Sequence, residues 1–290
     1  MLTEQQILGS LLAMAKADER IRAAILNGSR ANPRAPRDFF QDYDVVFLVT
    51  DVDAFVRSRG WIERFGELMI MQTPDEMGDP PPQGADCKFT YLMQFADGNR
   101  IDLTFYDVAK LGGMRRDSQS LLLLDKDGVV EPFLPPSEAD YLPKPPSAKE
   151  FADCCNEFWW VCTYVAKGLW RMELPYARHM LEVPVRGMLY KMLDWHIGVR
   201  TGFAENPGKH GKYYQRHLEP ELWAKLLETY PGADFGETWR ALFTMGDLFR
   251  LAAAGVAGHF GYAYPREDDR RVTAHLAHIR ELPQDAKEMY

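Results

Sequence analysis

The chain has 290 residues, 46% of them hydrophobic and 26% charged, and a formal net charge of −8. That is globular composition at a length suited to about two domains. The acidic balance argues against long nucleic acids, which need clustered Lys and Arg, and favours a cationic small substrate. No segment reads as the roughly 18 uncharged apolar residues of a membrane span, and MLTEQQILGSLLAMAKADER lacks the basic flank and cleavage site of a signal peptide. A cytoplasmic monomer with no nucleic-acid or membrane partner is therefore expected. Cys87, Cys154, Cys155 and Cys162 show no C-x-x-C spacing and read as free, mostly buried thiols.

In chain order, Thr3-Glu4-Gln5-Gln6 is a capping-box pattern followed by Ile7, Leu8, Leu11, Leu12 and Ala15 at helical spacing. Ala23 to Leu26 reads as a strand, ended by the tight turn Asn27-Gly28-Ser29. Pro33 and Pro36 exclude a regular helix over most of the span to Asp42. Tyr43 to Thr50 is apolar on both faces and so is expected in the middle of a sheet. Asp53 is expected to cap a helix running through Arg64, and residues 67–73 to form another strand. A Pro- and Gly-rich loop follows over 75–86. KFTYLMQF and NRIDLTFYDV flank Ala96-Asp97-Gly98-Asn99, a hairpin signal, and Leu121 to Leu124 is one more short strand.

Six prolines between 132 and 146 mark a stiff connector. A second capping box, Ser147-Ala148-Lys149-Glu150, opens an amphipathic helix to about Glu173, and the remainder is helical in period. The expected fold is an α+β N-terminal domain over 1–140, a mixed β-sheet flanked by helices, followed by an all-α helical bundle over 147–290.

Asp42 and Asp44 stand at the mouth of VVFLV. Side chains at i and i+2 share a strand face, so the two carboxylates project together. Buried carboxylates lose several kcal/mol, roughly, unless a cation or hydrogen bonds replace water, and the positive charge is expected from outside the chain. Asp102, among alternating apolar residues, joins them if its strand lies alongside. Three clustered carboxylates suit a hard cation such as Mg²⁺ with open positions for phosphates. Gly28 permits close backbone approach to a phosphate, Ser29 donates to its oxygens, and Arg30 adds charge.

The order Gly-Ser, D-x-D, then an apolar-flanked Asp resembles the nucleotidyltransferase superfamily of DNA polymerase β type. Within it, NGSRANPRAPRDFFQDYDVVFLVTD, FTYLMQFADGNRIDLTF, HMLEVPVRGMLYKMLDWHIG and GKHGKYYQRHL resemble the aminoglycoside 6-adenylyltransferases, also called streptomycin adenylyltransferases, over nearly the whole chain. One departure is the thirteen-residue step from Ser29 to Asp42, where a shorter helical link is frequent. The resemblance implies transfer of AMP from ATP to a drug hydroxyl with release of pyrophosphate. It implies two Mg²⁺ ions at Asp42, Asp44 and Asp102, with Asp102 also the candidate general base. Rival readings are a catalytically silent nucleotide sensor or antitoxin-like module, and a transferase acting on tRNA.

Lys209 and Lys212, with Arg216, are candidates for the ATP phosphates, a solvated basic loop being the alternative. Tyr213 or Tyr214 either stacks on adenine or packs in the core. An aminoglycoside is a polycation, so its site should offer acids and aromatic faces. The candidates are Glu157, Tyr164, Trp170, Glu182 and Asp194, with Pro184 expected to break the helix and turn Glu182 and Asp194 toward the drug.

Overall fold

The computed structural model describes residues 2–79 and 87–290, so part of the predicted Pro- and Gly-rich loop, 80–86, lies outside the described residues. The chain divides into two compact units, Met1–Asp140 and Tyr141–Tyr290.

The first unit opens with α1 (Glu4–Ala17), whose Thr3 and Gln6 form the capping box read from the sequence. Its sheet contains β1 (Ile21–Asn27), β2 (Tyr43–Val49), β3 (Leu68–Gln72), β4 (Lys88–Phe95), β5 (Arg100–Asp107) and β6 (Ser120–Asp125), in the order β3-β4-β5-β2-β1-β6. β2 is an interior strand, paired antiparallel with β1 and parallel with β5. The sheet is therefore mixed. β3 is an edge strand, with Met69 and Ile70 exposed.

Alternation divides the strand residues between two faces. Tyr43, Val45, Phe47 and Val49 of β2 join Ile101, Leu103 and Phe105 of β5 in the main core with α1. α2 (Val52–Arg57) covers the same face, where Phe55 stacks on Phe105 at 4.3 Å between ring centroids. The opposite face carries a smaller cluster around Ala23, Ile25, Leu48 and Val130. That thin cover leaves the beginnings of β2 and β5 open. One expectation is corrected here: Asp51, not Asp53, caps α2, and the helix ends at Arg57 because Ser58 turns extended, leaving a separate 3-10 segment, Gly60–Phe65.

The second unit is helical: α3 (Ala148–Trp170), α4 (Leu174–Met180), α5 (Arg186–Thr201), α6 (Tyr214–His217), α7 (Pro220–Glu228), α8 (Phe235–Phe260) and α9 (Arg266–Glu281). Ser147 and Glu150 close the second capping box. α3 stops short of Glu173, since Met172 takes a positive φ of 60°. Pro184 does not break the chain's helical course. It sits in a π-helical turn, Leu181–Val185, that joins α4 to α5 and absorbs the missing N–H without a loop. α8 is long and apolar enough by length and composition to cross a membrane, although Glu237, Arg240, Asp247 and Arg250 interrupt it, and 61% of its apolar window is buried inside the unit. Phe158 of α3 stacks on its Phe249 at 3.8 Å.

Cys154, Cys155 and Cys162 are buried and Cys87 is half-buried. Burial pushes the Cys154 and Cys155 thiols up to about 12, and the thiolate is the reactive form. In an aromatic disulfide titration at pH 8, only Cys87 should react within minutes, and the other three only after denaturant is added.

Candidate active site

Parallel pairing of β2 with β5 sets Asp44 directly opposite Asp102, and Asp42 precedes Asp44 by two residues on the same face. The three predicted acids are thus brought together at the open end of two paired strands. Burial pushes the Asp44 carboxyl up to about 6, with the charges of Asp102 and Asp42 adding to the rise. Asp42 is raised as well, chiefly by burial.

Gly28 follows β1 with a φ of +72°, and a Cβ built there would lie 2.4 Å from Oδ2 of Asp44. Only glycine fits that contact and that backbone conformation. Its amide donates to the Gln119 carbonyl at 3.0 Å. Ser29 is partly exposed next to it, and its carbonyl accepts from the Gln41 amide at 3.1 Å.

Arg30 is not available to a phosphate. Its side chain is buried, donating from Nε to the Asp42 carbonyl at 3.1 Å, from Nη2 to the Gln41 carbonyl at 2.7 Å, and from Nη1 to Glu4 at 2.9 Å. The guanidinium also lies 3.7 Å from the centre of the Tyr43 ring. Arg30 therefore clamps the returning end of the 31–42 loop onto α1 and fixes Asp42. Arg34 and Arg37 stay on the exposed side of that loop, paired with Glu138 and Glu4 at 3.4 and 3.8 Å.

The positive charge beside the acids belongs to the chain, which the sequence reading missed. Arg100, at the start of β5, donates from Nε to Asp102 Oδ1 at 2.9 Å and from Nη2 to Oδ2 at 2.8 Å, and its Nε lies 3.6 Å from Asp42 Oδ2. The i, i+2 spacing of Arg100 and Asp102 was the available signal. Among the described residues no three His, Cys, Asp or Glu side chains are gathered as a ready metal cage. The aspartates do fit a hard divalent ion in donor type, being oxygen ligands without nitrogen or sulfur.

A family model, streptomycin adenylyltransferase, matches residues 1–279. The chain belongs to this family. It is similar to proteins named aminoglycoside 6-adenylyltransferase from Bacillus subtilis (strain 168), 40% identical over 93% of this chain and 95% of that one, and from Campylobacter jejuni, 38% identical over 93% of each. The Staphylococcus aureus protein of that name is 35% identical over 91% of this chain and 94% of its own. A crystal structure of an aminoglycoside 6-adenyltransferase from Bacillus subtilis is 36% identical, covers 97% of this chain and 100% of that one, and gives a TM-score of 0.49. The protein is accordingly a nucleotidyltransferase enzyme with the α+β and helical parts expected from its sequence.

The enzyme's other candidate residues stand on the helical unit. Lys209 and Lys212 flank a tight turn in which Gly208, His210 and Gly211 all have positive φ. Two cations lie near the Tyr213 ring, Lys212 at 4.9 Å and Arg216 at 4.6 Å from its centre. No carboxylate is paired with Lys209, Lys212 or Arg216 among the described residues. Tyr214 is the core member of the aromatic pair, 1% exposed, and its hydroxyl donates to Asp194 Oδ1 at 2.7 Å.

Asp194 is thus engaged in anchoring the basic turn to α5 rather than standing open to a drug. Glu182 is also engaged: it pairs with Arg186, at 2.5 Å, and with Arg178, at 3.5 Å. Glu157 is exposed on α3, and Tyr164 accepts from Trp160 Nε1 at 2.8 Å. Trp170 donates to the Leu282 carbonyl at 3.1 Å and packs on the core. Trp160 is exposed on α3 like Glu157, with Tyr164 hydrogen-bonded to it. Phe39 and Phe40, 64% and 79% exposed just before Asp42, are a further aromatic pair that the sequence reading passed over.

Asp44 sets a pH dependence. A carboxyl held near 6 in the folded chain, against 3.8 otherwise, stabilises the fold at low pH. That stabilisation is lost as pH rises through about 6, a change of up to about 3 kcal/mol. Asp44→Asn, unfolded by urea without divalent cations, should gain about 2 kcal/mol over the parent at pH 7.5 and nothing at pH 3.5.

Proposed function

We propose that the enzyme transfers AMP from ATP to a hydroxyl of an aminoglycoside, the 6-hydroxyl of streptomycin, and releases pyrophosphate. The observation that carries this reading is the placement of Asp42, Asp44 and Asp102 on one face of two paired strands, with Gly28 packed against Asp44. The names of its relatives supply the acceptor class.

Asp42 and Asp44, with Asp102 beside them, would hold Mg²⁺, which when bound neutralises the triphosphate and polarises the α-phosphorus. The Gly28-Ser29 turn would offer the Ser29 N–H and hydroxyl to phosphate oxygens, the Gly28 N–H being taken by the Gln119 carbonyl. Asp102, once free of Arg100, accepts the proton of the attacking drug hydroxyl. The hydroxyl oxygen then bonds to the α-phosphorus, and the bond from that phosphorus to the bridging oxygen breaks with its electron pair leaving on pyrophosphate. Lys209, Lys212 and Arg216, with no carboxylate partner among the described residues, are cations suited to that leaving group, and Tyr213, with Lys212 and Arg216 near its ring, is the aromatic candidate for adenine. The drug's guanidinium groups call for acids with spare capacity, which favours Glu157 over Glu182 and Asp194. ATP as donor supports a cytoplasmic location for the enzyme. A silent nucleotide-binding module has no use for a carboxyl such as that of Asp44, pushed up by burial and by the charges of Asp102 and Asp42.

Incubation with α-labelled ATP, Mg²⁺ and, separately, streptomycin, kanamycin, lincomycin and tRNA should label streptomycin alone. Label on tRNA, or on nothing, would sink the reading. Asp42→Asn and Asp102→Asn should each lower turnover by about 10³-fold or more with the circular dichroism of the parent.

A further inference from the structure

Arg100 makes a closed arrangement with the acids. It approaches Asp102 side-on, so both carboxylate oxygens accept a hydrogen bond from the same guanidinium, at 2.9 and 2.8 Å, while Asp42 lies 3.6 Å away. A side-on guanidinium occupies the carboxylate edge that a metal ion would bind. A dication on the same oxygens would also stand against a fixed positive charge. Both oxygens of Asp102 are therefore engaged by Arg100 where it faces Asp44.

The arrangement is releasable. Arg100 is 41% exposed in its side chain, whereas Asp102 is 15% exposed. Its ion-pair partners among the described residues are Asp42 and Asp102. Its guanidinium is hydrogen-bonded to Asp102 at a partly exposed position, in contrast to Arg30, which is buried and held by three acceptors and a ring. The two arginines of the site thus differ in kind, one a fixed clamp and one a displaceable charge.

We infer that Arg100 is an internal counter-cation: it occupies the acid cluster in the unliganded enzyme, and a divalent ion gains Asp102 only by exchange with its guanidinium. This rests on the reading of the three aspartates as a divalent-cation site. Its consequence is coupling. Free metal binds weakly because it competes with a tethered cation. The triphosphate that arrives with the metal supplies the anion to which the displaced guanidinium can turn, so full loading favours metal and nucleotide together.

The test is Mn²⁺ binding followed by electron paramagnetic resonance, with no turnover required. Without nucleotide, Arg100→Gln should bind Mn²⁺ at least about 10-fold more tightly than the parent. Arg100→Lys should fall between them, since an ammonium cannot cover both oxygens. A non-hydrolysable ATP analogue should narrow the gap by tightening the parent more than Arg100→Gln. Parent-like or weaker Mn²⁺ binding by both variants, with folding confirmed by circular dichroism, would overturn the inference and leave the metal reading standing. If Arg100→Gln does not fold, Arg100→Lys carries the same comparison. Should none of the proteins bind Mn²⁺ even with the analogue, and Asp42→Asn change nothing, the metal reading fails and the inference with it.

Discussion

Two carboxylates held opposite each other on neighbouring parallel strands repel, and this like-charge contact between Asp44 and Asp102 is the constraint around which the first unit is arranged. Two unit charges at about 5 Å repel by about 3 kcal/mol at an effective dielectric of 20. A sequence selected for stability alone would not place them there. The strands must therefore be held by something indifferent to the acids, and the other face of β2 and β5 supplies it: Tyr43, Val45, Phe47, Leu103 and Phe105 are wholly buried against α1 and α2. The apolar face fixes the register, and the register imposes the repulsion.

The residues around the acids divide by what they tolerate. Gly28 admits Asp44 by having no side chain. Arg30 donates from all three guanidinium nitrogens and holds the Asp42 backbone, so removing it takes a donor from two carbonyls and from Glu4. Arg100 sits at the accessible rim and offsets charge without fixing shape. The helical unit follows the same economy at its basic turn: Gly208 and Gly211 lack the Cβ atoms that would strike Tyr213 and Tyr214, at 2.8 and 2.6 Å respectively, and Asp194 holds Tyr214 from below. In both units glycines bring charged or aromatic groups closer than other residues allow.

Local signals were legible in the sequence where they were strong and chemical. Both capping boxes, the hairpin at Asp97-Gly98 and the interior strand after Asp42 can be read from residue types because each depends on a few neighbours. The facing of Asp102 and Asp44 required only that two strands adjoin. What stayed hidden depended on partners distant in the chain or on competing geometries. Arg30 looks like a phosphate ligand until Glu4, Gln41 and Tyr43 surround it. Glu182 and Asp194 look like free acids until Arg186 and Tyr214 engage them. Pro184 looks like a breaker, yet a π-turn accommodates it. Arg100 is two residues from Asp102 and shares its strand face, but residue types alone do not tell whether such a cation turns to the acid or to solvent.

The closeness of Arg100 to Asp102 in sequence also bears on how the unit assembles. Contacts between residues two apart form in the time of local chain motion, whereas pairing of β5 with β2 must close a loop of more than fifty residues and pays the larger entropy. The hairpin of β4 and β5 can thus form with Asp102 already neutralised. The strand that docks beside Asp44 arrives with its charge masked, and because Arg100 stays on Asp102 in the folded chain, the repulsion is felt in full only when a ligand draws that guanidinium away.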